Sequence, residues 1–249
     1  MRTSSTIECF PQLFAGLTAL SLSLVMSTFI FAHALREFKQ ANDVLLVTGS
    51  AKRPIQSDYI ILRFSVSSQE PTAQAAYQNL KSQTESLQAY LQKQQVPDDA
   101  ITFGTINTYT IPEIAANGRQ TGQTLAYRLS QQLEIRSDQI EKYTELSQQA
   151  NELINEGINL VSEPPQYLYT QLSQLRVEMV AEATKDAKAR AEAIAESTGN
   201  KVGAIRSAKT GVFQITSRNS TDVSDYGIYD TSSLEKDITA VVSVQFRME

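Results

Sequence analysis

The chain has almost none of the side chains that most often carry chemistry in proteins. Its 249 residues include one cysteine, Cys9, one histidine, His33, and no tryptophan. Both single residues lie in or beside an N-terminal apolar segment, so the chain after residue 40 has neither a thiol nor an imidazole. This excludes an internal disulfide framework, a Cys- or His-based metal site and a Ser-His-Asp triad in that part of the chain. A domain without cysteine is common in oxidising compartments.

Clustered positive charge is also missing. Lys and Arg number 22 against 27 Asp and Glu, for a formal net charge of −5, and the pI is near 5.1. Binding to nucleic acid needs clustered Lys and Arg, so we expect no nucleic-acid partner. The same balance disfavours electrostatic adhesion to anionic lipid.

No motif identifies an enzyme. Asp98-Asp99 follows a proline and is interpreted as a capped or solvated turn, and the acids at 178, 182 and 186 as a solvated helix face. The glycines form no phosphate-binding loop. We therefore expect no catalytic residue, no cofactor and no metal. Two alternatives stay open: a ligand-binding module, and a hydrolase without His or Cys.

One long apolar run stands at the N-terminus. No residue from Phe10 to Ala32 carries a charge, and at 1.5 Å per residue a helix of that length crosses a hydrocarbon core of roughly 30 Å. Residues 1–35 are therefore predicted to be a retained anchor that places residues 10–34 in a bacterial inner membrane, single-pass, with the C-terminal domain in the periplasm. The alternative is a signal peptide that is cleaved near Ala34, because Ala32-His33-Ala34 has the small residues that cleavage needs.

Periodicity predicts a first block of two strands, a helix and a hairpin. The strands are 44–47 and 59–66, separated by a turn at Arg53-Pro54. A helix is predicted to open at Pro71 and to run to about Gln95. A hairpin of 101–111 and 125–135 follows, with Asn117-Gly118 as its turn signal.

The second half of the chain again alternates helices and strands. Helices are predicted at 139–155 and 173–197, with strands at 158–162, 166–170, 201–207, 211–215 and 238–246. The apolar side of the last helix is predicted to consist of Val177, Val180, Ala181, Ala187, Ala191, Ile194 and Ala195. The fold class is α+β, an antiparallel-rich sheet with helices packed on one face in ββα-type blocks, preceded by one transmembrane helix.

A polar insert at 216–236 interrupts this pattern. It is rich in Ser, Thr, Asp, Asn and Gly, and it is predicted to be a long loop or a disordered segment. Tyr226 and Tyr229 lie within it as candidate partner-contact residues. The alternative is a loop with two incidental tyrosines.

Several motifs together resemble the SIMPL domain, once catalogued as a domain of unknown function. They are Val47-Thr48-Gly49-Ser50-Ala51, Pro97 to Thr102, the strand Gly122 to Ile135, and Ala181 to Gly199 with its Ala187-Lys188-Ala189-Arg190-Ala191-Glu192. The resemblance covers residues 43–249. The sequence departs from the family pattern at Gln123-Thr124-Leu125, where a Tyr is expected after Gly122, and in its long anchor.

The resemblance implies a periplasmic or envelope location, a mixed α/β fold and, in at least one member, ring- or channel-like self-assembly. The family includes a periplasmic immunogenic protein and an oxidative-stress defence protein, and no established catalytic residues carry over. We therefore expect a non-enzymatic, membrane-tethered envelope protein that forms a homo-oligomer or binds partners in stress tolerance.

Overall fold

The structure, a computed structural model, describes residues 9–40 and 43–248, and the side chains of 14–32 and 43–248 among them. Within these residues, four α-helices and ten strands follow in chain order: α1 Cys9–Gln40, β1 Val44–Gln56, β2 Tyr59–Glu70, α2 Ala73–Lys93, β3 Ile101–Ile114, β4 Gln120–Ser137, α3 Ile140–Gln149, β5 Leu160–Ser162, β6 Gln166–Leu168, α4 Leu172–Thr198, β7 Val202–Thr210, β8 Gln214–Ser217, β9 Ile228–Tyr229 and β10 Glu235–Met248.

The strands form two five-stranded sheets. The first has the order β1-β10-β8-β9, with β7 also paired to β10, and the second has the order β3-β4-β2-β5, with β6 also paired to β2. β10 pairs antiparallel with β7 and β8, β2 pairs antiparallel with β4, β5 and β6, and β3 pairs antiparallel with β4. β8 and β9 form a parallel pair. The predicted α+β class, rich in antiparallel pairing and preceded by an apolar helix, is confirmed.

The N-terminal helix α1 is long and apolar enough to cross a membrane. Its span Phe14–Ala32 has a mean hydropathy of 1.9, and the rest of the described chain buries none of it. Four of its hydroxyl groups donate to backbone carbonyls three or four residues earlier, those of Thr18, Ser21, Ser23 and Thr28. These bonds satisfy polar groups that water cannot reach in a bilayer. The helix is consistent with a membrane anchor or a signal sequence.

The described residues divide into two compact units. Residues up to 51, 180–211 and from 241 onward form the first, and residues 52–179 and 212–240 form the second. The core of the second unit lies between the second sheet and the helices α2 and α3. β2 contributes alternate residues, from Ile60 to Val66, as its length and period predict. From the helices come Ala76, Leu80, Leu87, Leu91, Tyr143 and Leu146.

The predicted turn at Arg53-Pro54 is wrong. β1 continues through both residues to Gln56, and the chain turns at Ser57 and Asp58. Proline lacks an N–H group and therefore weakens a central strand, but it is tolerated in a strand at the end of a sheet. β1 stands at the end of its sheet, so Pro54 does not interrupt it.

In the first unit, β1 and α4 approach each other at Gly49. A β-carbon at this position would lie 2.2 Å from the carbonyl oxygen of Ala183 and 2.3 Å from the amide nitrogen of Ala187. The next residue strengthens the contact, because the Ser50 amide donates to Oδ2 of Asp186 over 2.8 Å. Arg190 bonds the same carboxylate oxygen at 2.9 Å. Only glycine allows the strand to lie this close to the helix.

The predicted apolar side of α4 is partly wrong. Ala187, Ala191 and Ala195 are buried as predicted, whereas Val177 and Ile194 are 71% and 44% exposed, Ala181 is exposed and Val180 is half-buried. The buried residues instead recur at every fourth position: Leu175, Met179, Ala183, Ala187, Ala191 and Ala195. The close contact at Gly49 requires small side chains on α4, so the row that contains Ala183 and Ala187 faces β1 instead of the predicted side with Val177 and Ile194.

The insert 216–236 is more structured than its composition predicts. Its first two residues end β8, Ile228 and Tyr229 form β9, and its last two begin β10. Lys236 is completely buried, and its amine donates to the backbone carbonyl of Tyr167. The amide of Tyr167 in turn donates to Thr231 at 2.7 Å. Composition could not reveal that one lysine ties the end of this segment to β6.

We expect Gly49→Ala to lower the free energy of unfolding by about 3 kcal/mol or to prevent folding, because the atoms in the way are backbone and cannot move as a side chain can. Urea denaturation followed by circular dichroism measures this. Gly104→Ala is the matched control, since its nearest atom is a backbone oxygen at 3.2 Å, and it should cost about 1 kcal/mol or less. Equal losses for both variants would contradict the interpretation.

We expect Lys236→Met to lower the free energy of unfolding by about 2 kcal/mol, because it leaves the Tyr167 carbonyl without this donor. Lys209→Met, at an exposed position of β7, is the control and should change the value by less than about 0.5 kcal/mol. Thermal unfolding of both variants compares them directly. A Lys236→Met protein as stable as the parent would show that the hydrogen bond from the buried amine to Tyr167 does not stabilise the fold.

Candidate functional site

The two tyrosines singled out in the sequence lie in one cleft of the second unit. Tyr226 is 95% exposed at its mouth and Tyr229 is 43% exposed. The cleft has a volume of about 320 Å³. It is lined by Arg176, Val212, Phe213, Ile215, Tyr226, Gly227, Ile228 and Tyr229.

The backbone around the cleft is held by hydrogen bonds and by one close approach. β9 pairs with β8, so that Ile228 lies beside Gln214 and Tyr229 beside Ile215. The buried side chain of Gln214 donates to the Ser224 carbonyl at 2.7 Å and accepts from the Ser224 amide at 3.4 Å. Gly227 has a φ of +84°, and a β-carbon there would lie 2.9 Å from the Phe213 carbonyl oxygen. The loop that carries Tyr226 is therefore fixed at both ends.

Two cations stand against the aromatic rings. The guanidinium carbon of Arg176 lies 5.6 Å from the centre of the Phe213 ring, and the amine of Lys236 lies 5.8 Å from that of Tyr229. Both distances fall within the range of cation–π attraction. Burial lowers the pKa of Lys236, and the charge of Asp230 opposes this shift. The Lys236 amine lies within reach of the Tyr229 ring and also donates to the Tyr167 carbonyl.

A second cleft of about 490 Å³ lies elsewhere in the same unit, and the sequence did not indicate it. Its charged lining consists of Asp58, Asp138, Glu141 and Lys142. Asp58 is already engaged, because its carboxylate accepts from the amide and the hydroxyl of Thr170, each at 2.7 Å. This carboxylate stabilises the chain ahead of α4.

The acids considered in the sequence do not converge on either cleft. Asp98 and Asp99 lie in a single 3-10 turn. Glu178 binds the guanidinium of Arg53 at 2.7 Å, and Asp186 binds the Ser50 amide and Arg190. Among the side chains that the structure describes, no group of three or more His, Cys, Asp or Glu could hold a metal ion. The carboxylates of Glu178 and Asp186 join α4 to β1.

The hairpin β3–β4 presents a different kind of surface. The predicted turn is confirmed at Gly118, whose φ is +79°, but the strands extend further toward it than predicted. β3 ends the order of the second sheet, and its residues 102–110 are exposed. An edge strand leaves backbone donors and acceptors free to pair with another chain.

Two apolar side chains of β3 lie on the face of the sheet that elsewhere packs against α2. Phe103 is opposite the buried Leu133 and Ile106 is opposite Gln131, and residues opposite each other, or two apart, share a face. We name Phe103 and Ile106 the β3 strip; they are 41% and 38% exposed.

The usual protection of an edge strand is confined to the ends of β3. Register shifts occur between Phe103 and Ile106 and again beside Pro112, and Glu113 follows. The segment between them, 106–111, contains no charge and no proline. Charges, prolines and bulges are the devices that blunt natural edges. The uncharged run was visible in the sequence, but only the strand order shows that it lies at an edge.

Comparison with known proteins agrees with the motifs. No curated protein matches the chain. The model of the SIMPL family, described as a protein of unknown function, matches residues 45–246. The matched range includes the close contact at Gly49, the hairpin and the aromatic cleft, and covers most of the chain. The chain therefore belongs to the SIMPL family.

Proposed function

We propose that this protein is a non-enzymatic envelope protein, tethered to the bacterial inner membrane by α1, whose periplasmic part forms a homo-oligomer through the edge of β3. The single observation that carries this proposal is the combination of an uncharged edge segment, 106–111, with the β3 strip beside it. The role that we propose for the assembly is in stress tolerance, as the family resemblance implies.

The edge of β3 favours a second protein chain over a small molecule. A strand that adds to this edge would satisfy its free backbone groups, while the β3 strip would be covered by apolar side chains of the added chain. One added strand would thus supply both the backbone hydrogen bonds and the apolar contacts. A small ligand could not use a run of backbone groups along an extended strand.

Assembly through α4 has less support. A row of small residues suits close packing between helices, but Ala183, Ala187 and Ala191 are already buried within the first unit. What α4 exposes includes Val177 among charged residues. The edge of β3 is therefore the better candidate interface.

Membrane tethering supports assembly by raising local concentration. Copies that are held in one plane meet more often than copies in solution, so a weak edge-to-edge contact suffices for an oligomer. The exposed apolar span of α1 supports the tether. The periplasmic side is proposed because a large polar domain follows the span, as in exported proteins.

We expect the full-length protein in mild detergent to sediment well above monomer mass at micromolar concentration. Ile106→Lys and Tyr109→Lys should each shift it to monomer, because each places a charge in the strand-to-strand interface. Val177→Lys adds the same charge on exposed α4 and should leave the oligomer intact. A parent protein that is monomeric, or a Val177→Lys variant that alone dissociates, would contradict the proposed interface.

We expect the membrane-extracted protein to retain α1. The uncharged run from Phe10 to Ala32 is longer than the apolar part of a typical signal peptide, roughly 7 to 15 residues. Intact-mass spectrometry of protein from the native host measures the N-terminus. A mature chain that begins at Leu35 would instead establish cleavage and release from the membrane.

A further inference from the structure

We propose that the cleft beside Tyr226 and Tyr229 binds a small aromatic carboxylate, which is a second activity separate from assembly at β3. The cleft is concave, whereas the β3 edge is extended. Its volume of about 320 Å³ falls at the lower end of the range of small-molecule sites. A single aromatic ring with a short acidic side chain matches that size.

The lining explains the aromatic part of the ligand. Three rings, those of Phe213, Tyr226 and Tyr229, stand around the cleft with aliphatic side chains between them. Aromatic pairs stabilise each other by edge-to-face or offset stacking beyond their buried area. Tyr226 is 95% exposed, and a bound ring would give it a stacking partner.

The positive charge in the cleft is the reason for a carboxylate on the proposed ligand. Arg176 is the one charged residue among those that line the cleft, and in the described part of the chain its guanidinium contacts the Phe213 ring and forms no ion pair with an acid. The cation–π contact with Phe213 attracts the guanidinium to the ring and uses none of its N–H donors. A guanidinium binds a carboxylate through two parallel hydrogen bonds, which are among the strongest in proteins.

Contacts within the chain hold the walls of the cleft in place. The Gln214 amide holds Ser224 from both sides, and Gly227 rests against the Phe213 carbonyl oxygen. The amine of Lys236 makes a cation–π contact with the Tyr229 ring. A preorganised site loses less entropy when it binds, so a small ligand can be held by few contacts. Incidental tyrosines in a loop would need none of these bonds.

The test uses the full-length protein in lipid nanodiscs and phenylacetate as the probe, with isothermal titration calorimetry and empty nanodiscs as the blank. Phenylacetamide has the same ring without the charge, and acetate has the charge without the ring. We expect saturable binding of phenylacetate, and binding at least about tenfold weaker for each of the other two.

Variants then assign the site. Arg176→Gln should weaken phenylacetate binding by at least about tenfold and leave phenylacetamide binding unchanged, since only the charge pair is lost. Tyr226→Ala should weaken both aromatic probes. Arg119→Gln removes the same charge at the exposed hairpin tip and should have no effect. Absence of saturable binding, or equal binding by the parent and Arg176→Gln, would overturn the proposal. Because β3 is unaltered in these variants, the outcome is independent of assembly.

Discussion

The first unit depends on the contact between Gly49 and α4. Ala183 and Ala187 approach the strand so closely that a methyl group at position 49 has no space, and the carboxylate of Asp186 captures the next backbone amide. That hydrogen bond, followed by the bond from Arg190, holds the pKa of Asp186 below its usual value. Two motifs that are far apart in the sequence, the one around Gly49 and the Ala-rich one of α4, are thus two sides of one contact. Both motifs lie within the range that the SIMPL family model matches, and in this structure both contribute to packing at this contact.

The sequence predicted best the elements whose periodicity is set locally. The helices, the hairpin turn at Gly118 and the alternating core face of β10 could all be predicted, since each depends on neighbouring residues and their spacing. The predictions were wrong where contacts between residues far apart in the sequence determine the structure. Pro54 is tolerated because β1 has a neighbour on one side, and Val177 is exposed because the contact at Gly49 turns the smaller residues inward. Neither fact can be deduced from a local window.

The residues of the two candidate surfaces also differ in how far the sequence could indicate them. Tyr226 and Tyr229 stood out in the sequence because aromatic residues are unusual in a polar segment, and the structure brings both into one cleft. Arg176 and Phe213 did not stand out, since each belongs to a different element with an ordinary role. The β3 strip was hidden for another reason: its residues look like the interior side of any strand, and only the strand order leaves them uncovered.

The position of β10 in the first sheet determines when that sheet can form. β10 is the last strand of the chain, yet it pairs with β1 as well as with β7 and β8. Every strand of the second sheet lies between residues 59 and 168, so that sheet has all of its strands while the chain is still emerging. The first sheet must wait for β10, which follows its other four strands in the sequence, and β1 waits the longest for its partner. The first sheet is therefore completed after the second, since long-range pairing follows local pairing.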